Sequence, residues 1–532
     1  MRQRSAGRLF VFLVAVFTIS AFGSQIQAFK NSPARPATAA QQVAKEQQSE
    51  PRADTPEGRT EKALNEARLN KGGLYALLKE MPKGGDLHNH LSGAVYAESL
   101  IQFAADSGLC IDRQSLELEQ PPCKPNQPEA RQALTDPELY GKAIDAWSMR
   151  EWHVGSNGHD HFFDTFSKFG PAVDPHLAQI LAEVAQRAAD GNVQYMELMV
   201  SPDQGRASAL GTQLGYDIDF SAMRKKLLDA DFAGIVAQAR KNLDEMERGK
   251  NEQLHCAHEP DIHGGGCSVH IRYIYTVLRG ARPEQVFAQM LMGFELASKD
   301  PRVVSLNLVQ PEDWYVPMHD FHIHMQMLHY LKSVYPNVHL TLHAGELRPG
   351  MVPPDGMRFH IRESIEVGRA ERIGHGVDVM YEENPHELLA TMARRNVLVE
   401  ICLTSNEEIL GIQGKKHPLA MYLKAGVPVA LATDDEGVSR SEMTREYERA
   451  VLDQGLDYVA LKKMTRASLE HAFLPGASLW AETHKCTVVR ECAGDKPTSV
   501  PGPACMKFLN GSEKAREQWR LERRLAEFES RF

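Results

Sequence analysis

The chain has 532 residues, 42% of them hydrophobic and 24% charged, enough for one large enzyme domain with additions and a sizeable buried core. Its formal net charge is −10, with no long basic run beyond the first residues. That excludes the clustered Lys and Arg surface a nucleic acid would need and leaves small-molecule chemistry open.

The first thirty residues read as a targeting segment. Arg2, Arg4 and Arg8 precede an apolar run from Leu9 to Phe22, and small and polar residues follow. This is the pattern of a secretory signal, with cleavage expected after Gly23 or Ala28. The run is short for a membrane span of about 20 residues, although an uncleaved anchor is the alternative. Removing 1–28 takes away three arginines and no acid, moving the charge from −10 to −13. The expectation is a secreted or periplasmic protein with no stable membrane association once the signal is cleaved.

Residues 29–57 are rich in Pro, Ala, Gln and charge and read as a disordered lead-in. A helix is expected from Glu61 to Glu80, opening a catalytic domain over 58–510. Eight apolar, strand-like runs then recur, at 84–91, 193–200, 271–278, 303–309, 338–346, 371–377, 397–406 and 427–436. Near-continuous apolar strands alternating with helices point to a parallel sheet covered on both sides. Eight such units predict an α/β fold of the (β/α)8 TIM-barrel type, with a doubly wound open sheet as the competitor. In at least five runs the chemically capable residues fall near the C-terminal end, where a barrel gathers its active site. Residues 101–192 and 201–270 are too long for single crossovers and read as insertions after strands one and two. The charged segment 511–532 reads as a C-terminal helix whose charge is a solvated face.

Eight cysteines suit an oxidising compartment. Cys110 with Cys123, and Cys256 with Cys267, flank short loops and are expected to pair, as are two of Cys486, Cys492 and Cys505. Cys402 sits in an apolar run and reads as a buried thiol. There is no C-x-x-C pair, so a zinc ribbon is excluded.

His88 and His90 form an H-x-H on the first strand, where alternation puts both imidazoles on one face. A zinc site needs more, and His343 and Asp434, at the ends of strands five and eight, are the candidates. Such a site leaves a position for water and brings its pKa towards 7, as metal-assisted hydrolysis requires. Glu346, three residues after His343, is placed to shuttle a proton to the substrate. His375 in GHG is placed to orient the hydroxide or stabilise the oxyanion. Asp435, beside the candidate ligand, could hydrogen-bond a substrate. A second H-x-H at His322 and His324 falls in a helical stretch, where i and i+2 diverge. His159 and His161 read as structural or surface residues.

The set MPKGGDLHNHLSG, HAGE, RIGHG, CLTSN and ATDDEG resembles the adenosine deaminase family of the amidohydrolase superfamily, in order, from about residue 75 to 480. The lead, signal and cysteine-flanked insertion resemble its extracellular branch, the adenosine deaminase-related growth factors. The resemblance implies one zinc per chain on His88, His90, His343 and Asp434, Glu346 as proton shuttle, His375 orienting the hydroxide, and Asp435 on the purine. It implies deamination of adenosine or 2′-deoxyadenosine to the inosine product and ammonia. Two positions depart from the family. Ser92 stands where an Asp commonly contacts the sugar, and Gln310, followed by Pro311, stands where a Gly backbone contacts the purine. These candidate substrate residues keep another aminopurine, adenine or a modified nucleoside, as the alternative. A catalytically silent extracellular binding or signalling barrel is the alternative of another class. A cytidine-deaminase site is excluded because P-C-x-x-C is absent. A homodimer is compatible with the sequence.

Overall fold

The computed structural model describes residues 54–152, 157–256, 265–482 and 486–532. The signal-like segment and most of the expected lead-in lie outside them. Eight parallel strands form the barrel wall: β1 (Gly84–His90), β2 (Val193–Val200), β3 (His270–Leu278), β4 (Val303–Val309), β5 (His339–Ala344), β6 (Arg372–His375), β7 (Leu398–Ile401) and β8 (Val429–Leu431). Neighbours in sequence are neighbours in the sheet, which is the TIM-barrel order and excludes the open-sheet alternative. Closure comes from a parallel bridge between Asn89 and Asp434, in which the Asp434 amide donates to the His88 carbonyl at 2.8 Å.

The expected helix over 61–80 is two helices, Pro56–Ala67 and Lys71–Glu80. Thr55 caps the first, and the Asn70 side chain caps the second by accepting from the Gly73 amide. The runs at 397–406 and 427–436 are also shorter as strands than their apolar patterns suggest. After Ile401 the chain turns into a helix, Leu403–Leu410. The Leu403 and Thr404 amides donate to the remote Glu446 carboxylate, at 2.8 and 3.2 Å, and that anion fixes the helix start.

The first insertion supplies the helices Gly158–Phe169 and Leu177–Asp190 and a small antiparallel pair, Cys110–Ile111 with Leu118–Glu119. The second is helical through Gln253. Disulfides join Cys110 to Cys123, Cys256 to Cys267 and Cys492 to Cys505, and Cys402 is a buried thiol, as expected. The C-terminal helix Glu513–Glu529 is more than a solvated face. Its Leu521 and Leu525 pack with Leu87, Tyr195 and Leu398 under the barrel, and Glu513 and Glu517 reach Arg272, His270 and Gln194 at strand starts.

Beneath the strand tips lies a layer of buried charge. Arg372 of β6 donates to Glu197 of β2 at 2.6 Å and to Glu400 of β7 at 2.7 Å, all three fully buried. Such a set persists because each ion satisfies the others; removing one strands the rest without water. Among the described residues no helix is long and apolar enough to cross a membrane.

Candidate active site

Alternation along β1 sends His88 and His90 to the same side, where His343 meets both. The His343 Nε2 lies 3.1 Å from His88 Nε2 and 3.2 Å from His90 Nε2. Asp434 Oδ1 stands 3.6 and 3.4 Å from the same two nitrogens. The edge of a tetrahedron with zinc–nitrogen bonds of about 2.0–2.1 Å is about 3.3 Å, so the four atoms have the spacing of a ligand set.

The proton inventory points the same way. His343 must donate from Nδ1, because Asn307 Oδ1 accepts there at 2.9 Å, so its Nε2 carries a bare lone pair towards the others. Glu400 Oε2 holds His88 Nδ1 at 2.7 Å. Burial works against a charged His88, yet the bonds to Asp434 and Glu400 push it up to about 10. Asp434 is likewise opposed by burial and still held far below the usual carboxylate range by His88 and its neighbours. The cluster asks for positive charge at its centre, and a divalent cation fits it.

A second grouping shares His88 and Asp434 with His375 and Cys402. Burial pushes the Cys402 thiol well up, with Asp434 and Glu446 adding to it, so the sulfur stays protonated and is a poor ligand.

Two glycines make room for this arrangement. A Cβ on Gly374 would sit 2.6 Å from the His88 ring, and one on Gly93 would collide with the Asp435 carboxylate. Three residues at strand ends have left-handed backbone: His375 at φ +66°, Asp434 at +61° and Gln310 at +88°. Strain of this kind is kept where it aims a side chain.

Above the cluster opens a cavity of about 390 Å³. His90, His343, Asp434, Glu346 and Asp435 line its floor, and Ser92 and Gln310 line its side. Gln310 Oε1 is taken up by the Gly280 amide at 2.8 Å, and its carbonyl by Arg279. His375 is fully buried behind the floor, its ring 4.8 Å from that of His88 and 5.1 Å from that of His343. The insertion contributes Phe162, Phe163, Phe166 and Asp174, none of which the sequence singled out. Their signal was the aromatic spacing in HFFDTF, which reads equally well as core. Among the described residues no Lys or Arg lines the cavity.

Burial pushes the Glu346 carboxyl well up, and the charges of Asp434 and Glu312 add to it. Its backbone amide donates to Glu312 at 2.8 Å, fixing the turn after β5. Asp435 is raised for the same reason, burial first and then Asp434. The floor therefore holds a cation cage beside two carboxyls that favour keeping a proton. The second H-x-H diverges as expected: His322 is exposed against Glu363, while His324 is buried in the helix Phe321–Val334. His159 Nε2 meets Asp313 at 3.1 Å, and His161 meets the Ser148 carbonyl.

Comparison with known proteins gives the arrangement a lineage. The family model for adenosine deaminase matches residues 158–479. An adenosine deaminase of Pectobacterium atrosepticum is 25% identical over 390 residues, covering 73% of this chain and 92% of the relative. An adenine deaminase of Sinorhizobium medicae is 26% identical over 287 residues, covering 54% and 71%. An adenine deaminase structure from Arthrobacter aurescens superposes with a TM-score of 0.47 at 16% identity, over 76% of this chain and 97% of that one. The matched span carries His343 and Asp434 together with Glu346, His375 and Asp435, and His88 and His90 of β1 lie upstream of it. The chain belongs to the adenosine deaminase family of metal-dependent hydrolases and is a hydrolytic deaminase of aminopurines.

Proposed function

We propose that the substrate is a neutral adenine nucleoside, adenosine or 2′-deoxyadenosine, and that the metal is a single zinc ion held by His88, His90, His343 and Asp434. The observation that carries this is the cage and the raised Glu346 carboxyl on the floor of one aromatic-walled cavity. Zinc, when bound, supplies the Lewis acidity that makes water nucleophilic near neutral pH.

The chain's own groups do the rest. Glu346, protonated, gives its proton to a purine ring nitrogen and makes the adjacent carbon electrophilic. A carbon–oxygen bond forms there, the carbon–nitrogen bond breaks, and ammonia leaves with a proton relayed through the same carboxyl. Asp435, the other raised carboxyl, presents its proton to a second ring nitrogen. His375 holds the attacking oxygen from beneath. Phe163 and Phe166 offer flat apolar contact to the base.

The cavity's charge bears on the rest of the substrate. A phosphate would bring about two negative charges into a site with carboxylates and no described Lys or Arg, so a nucleotide is disfavoured. Among the described residues Asp174 is the one lining carboxylate away from the metal cage, and with the hydroxyls of Ser92, Ser201 and Thr276 it can take up sugar hydroxyls. A second reading, adenine as substrate, is favoured by Ser92, which offers a hydroxyl in place of the charged partner that sugar binding commonly uses.

The signal-like segment and three disulfides support a secreted or periplasmic location, in keeping with the extracellular branch. Cell fractionation with N-terminal sequencing of the mature protein tests it; an intact Met1 in the cytoplasmic fraction overturns it.

The decisive assay is ammonia release from adenosine by the zinc-loaded protein, with adenine and AMP in parallel. Glu346→Gln is expected to lose at least about 100-fold in kcat with zinc retained. Asp174→Asn is expected to raise KM for adenosine and leave adenine untouched. Turnover of adenine alone would replace the nucleoside reading.

A further inference from the structure

Which nitrogen of His375 carries the proton decides whether it can donate a hydrogen bond, take a proton or bind metal, and the residues behind it settle the matter. The Leu419 backbone N–H, a donor that cannot be reversed, points at His417 Nδ1 at 3.2 Å. His417 must therefore carry its proton on Nε2, which meets Asn406 Oδ1 at 3.1 Å. With its oxygen committed there, Asn406 turns its NH₂ towards His375 Nδ1 at 2.9 Å. His375 Nδ1 is then an acceptor, and its proton sits on Nε2.

That Nε2 is buried and has no partner among the described residues, and the ring stands against His88 and His343. Both rings accept at Nδ1, His417 from the Leu419 amide and His375 from the Asn406 NH₂, so both are neutral and each has one N–H to place. The reverse order fails at its far end. If His375 donated from Nδ1, Asn406 would have to show its oxygen to His375 and its NH₂ to His417, leaving His417 Nδ1–H facing the Leu419 N–H. Glu346 Oε1 also lies 3.4 Å from His375 Nδ1, but without hydrogen-bond geometry.

We propose that Asn406 and His417 are positioning residues that lock His375 in the Nε2–H tautomer, so that it donates to the attacking oxygen and serves neither as a base nor as a metal ligand. The chemical role rests on the deaminase reading above; the tautomer itself does not.

Ring ¹⁵N spectroscopy of the full-length, histidine-labelled protein, with and without zinc, reads the tautomer directly, His375→Gln supplying the assignment. The expected result is an N–H at Nε2 and a bare Nδ1 on His375; an N–H at Nδ1 overturns the proposal whatever the substrate. Asn406→Asp puts an acceptor against Nδ1 and inverts the tautomer. It is expected to lower kcat at least about 100-fold, as loss of a donor to a developing anion does, with KM within threefold and zinc content unchanged. Retention of kcat within threefold overturns the proposal. His417→Gln can still accept from Leu419 and donate to Asn406, so it is expected to keep kcat, whereas His417→Leu loses it. A merely structural role would instead lower both position-417 variants in step with Tm. Should Asn406→Asp not fold, the spectrum and the position-417 pair decide.

Discussion

Glu400 bears on metal binding without being a ligand. It holds His88 Nδ1 at 2.7 Å while itself held below the usual carboxylate range, against its burial, by Arg372 and His88. Such a partner orients the imidazole and raises its basicity. Glu400→Gln is expected to weaken zinc binding by about 10–100-fold in a chelator competition, with the barrel still folded. The four candidate ligands were legible in the sequence because strand alternation and position at a strand end are local properties. Glu400, Asn307 and Asn406 were not, since their partners lie 312, 36 and 31 residues away. A signal existed all the same: a lone charge in VLVEIC, inside an apolar run, has to meet a partner.

Elements place these residues, and their ends are where the pattern of apolar residues misleads. The run 397–406 looks continuous, but Glu446 starts a helix inside it, and only tertiary structure could reveal that. The first strand is set by a lysine. Lys83 is fully buried and donates to the carbonyls of Leu78, Met81 and Gly191 at 2.6, 3.1 and 2.7 Å, tying the preceding helix to the loop before β2. Lys83→Met would take this donor from all three carbonyls, leaving Leu78 only its bond from the Met81 amide, and is expected to cost at least about 2 kcal/mol, read by denaturant titration. The helix Gly158–Phe169 acts at the mouth instead. Phe166→Ala removes part of the aromatic wall and is expected to raise KM severalfold with little change in kcat, as lost apolar contact does.

Across the whole molecule, the reactive residues gather at one end of the barrel and the C-terminal helix packs at the other. The eightfold repeat and the clustering of reactive residues at strand ends were readable from the sequence, while the insertion's cavity wall was not, because nothing local ties it to the strands. The backbone of Asp434 closes the barrel and its side chain belongs to the candidate ligand set, so a cation bound there would be coupled to closure. Chelation is expected to lower Tm and zinc to restore it, with about 2.7 kcal/mol at stake when free zinc is a hundredfold above its Kd. Under the strands, the helix Glu513–Glu529 brings the Phe532 carbonyl to the Arg59 side chain at 2.9 Å and Arg531 to Glu80. The two ends of the described chain therefore meet beneath the barrel floor. Coupling the protein to a bead or an electrode through that C-terminal helix would leave the catalytic mouth facing the liquid, so a sensor layer built that way should respond to an added aminopurine as fast as the free enzyme does.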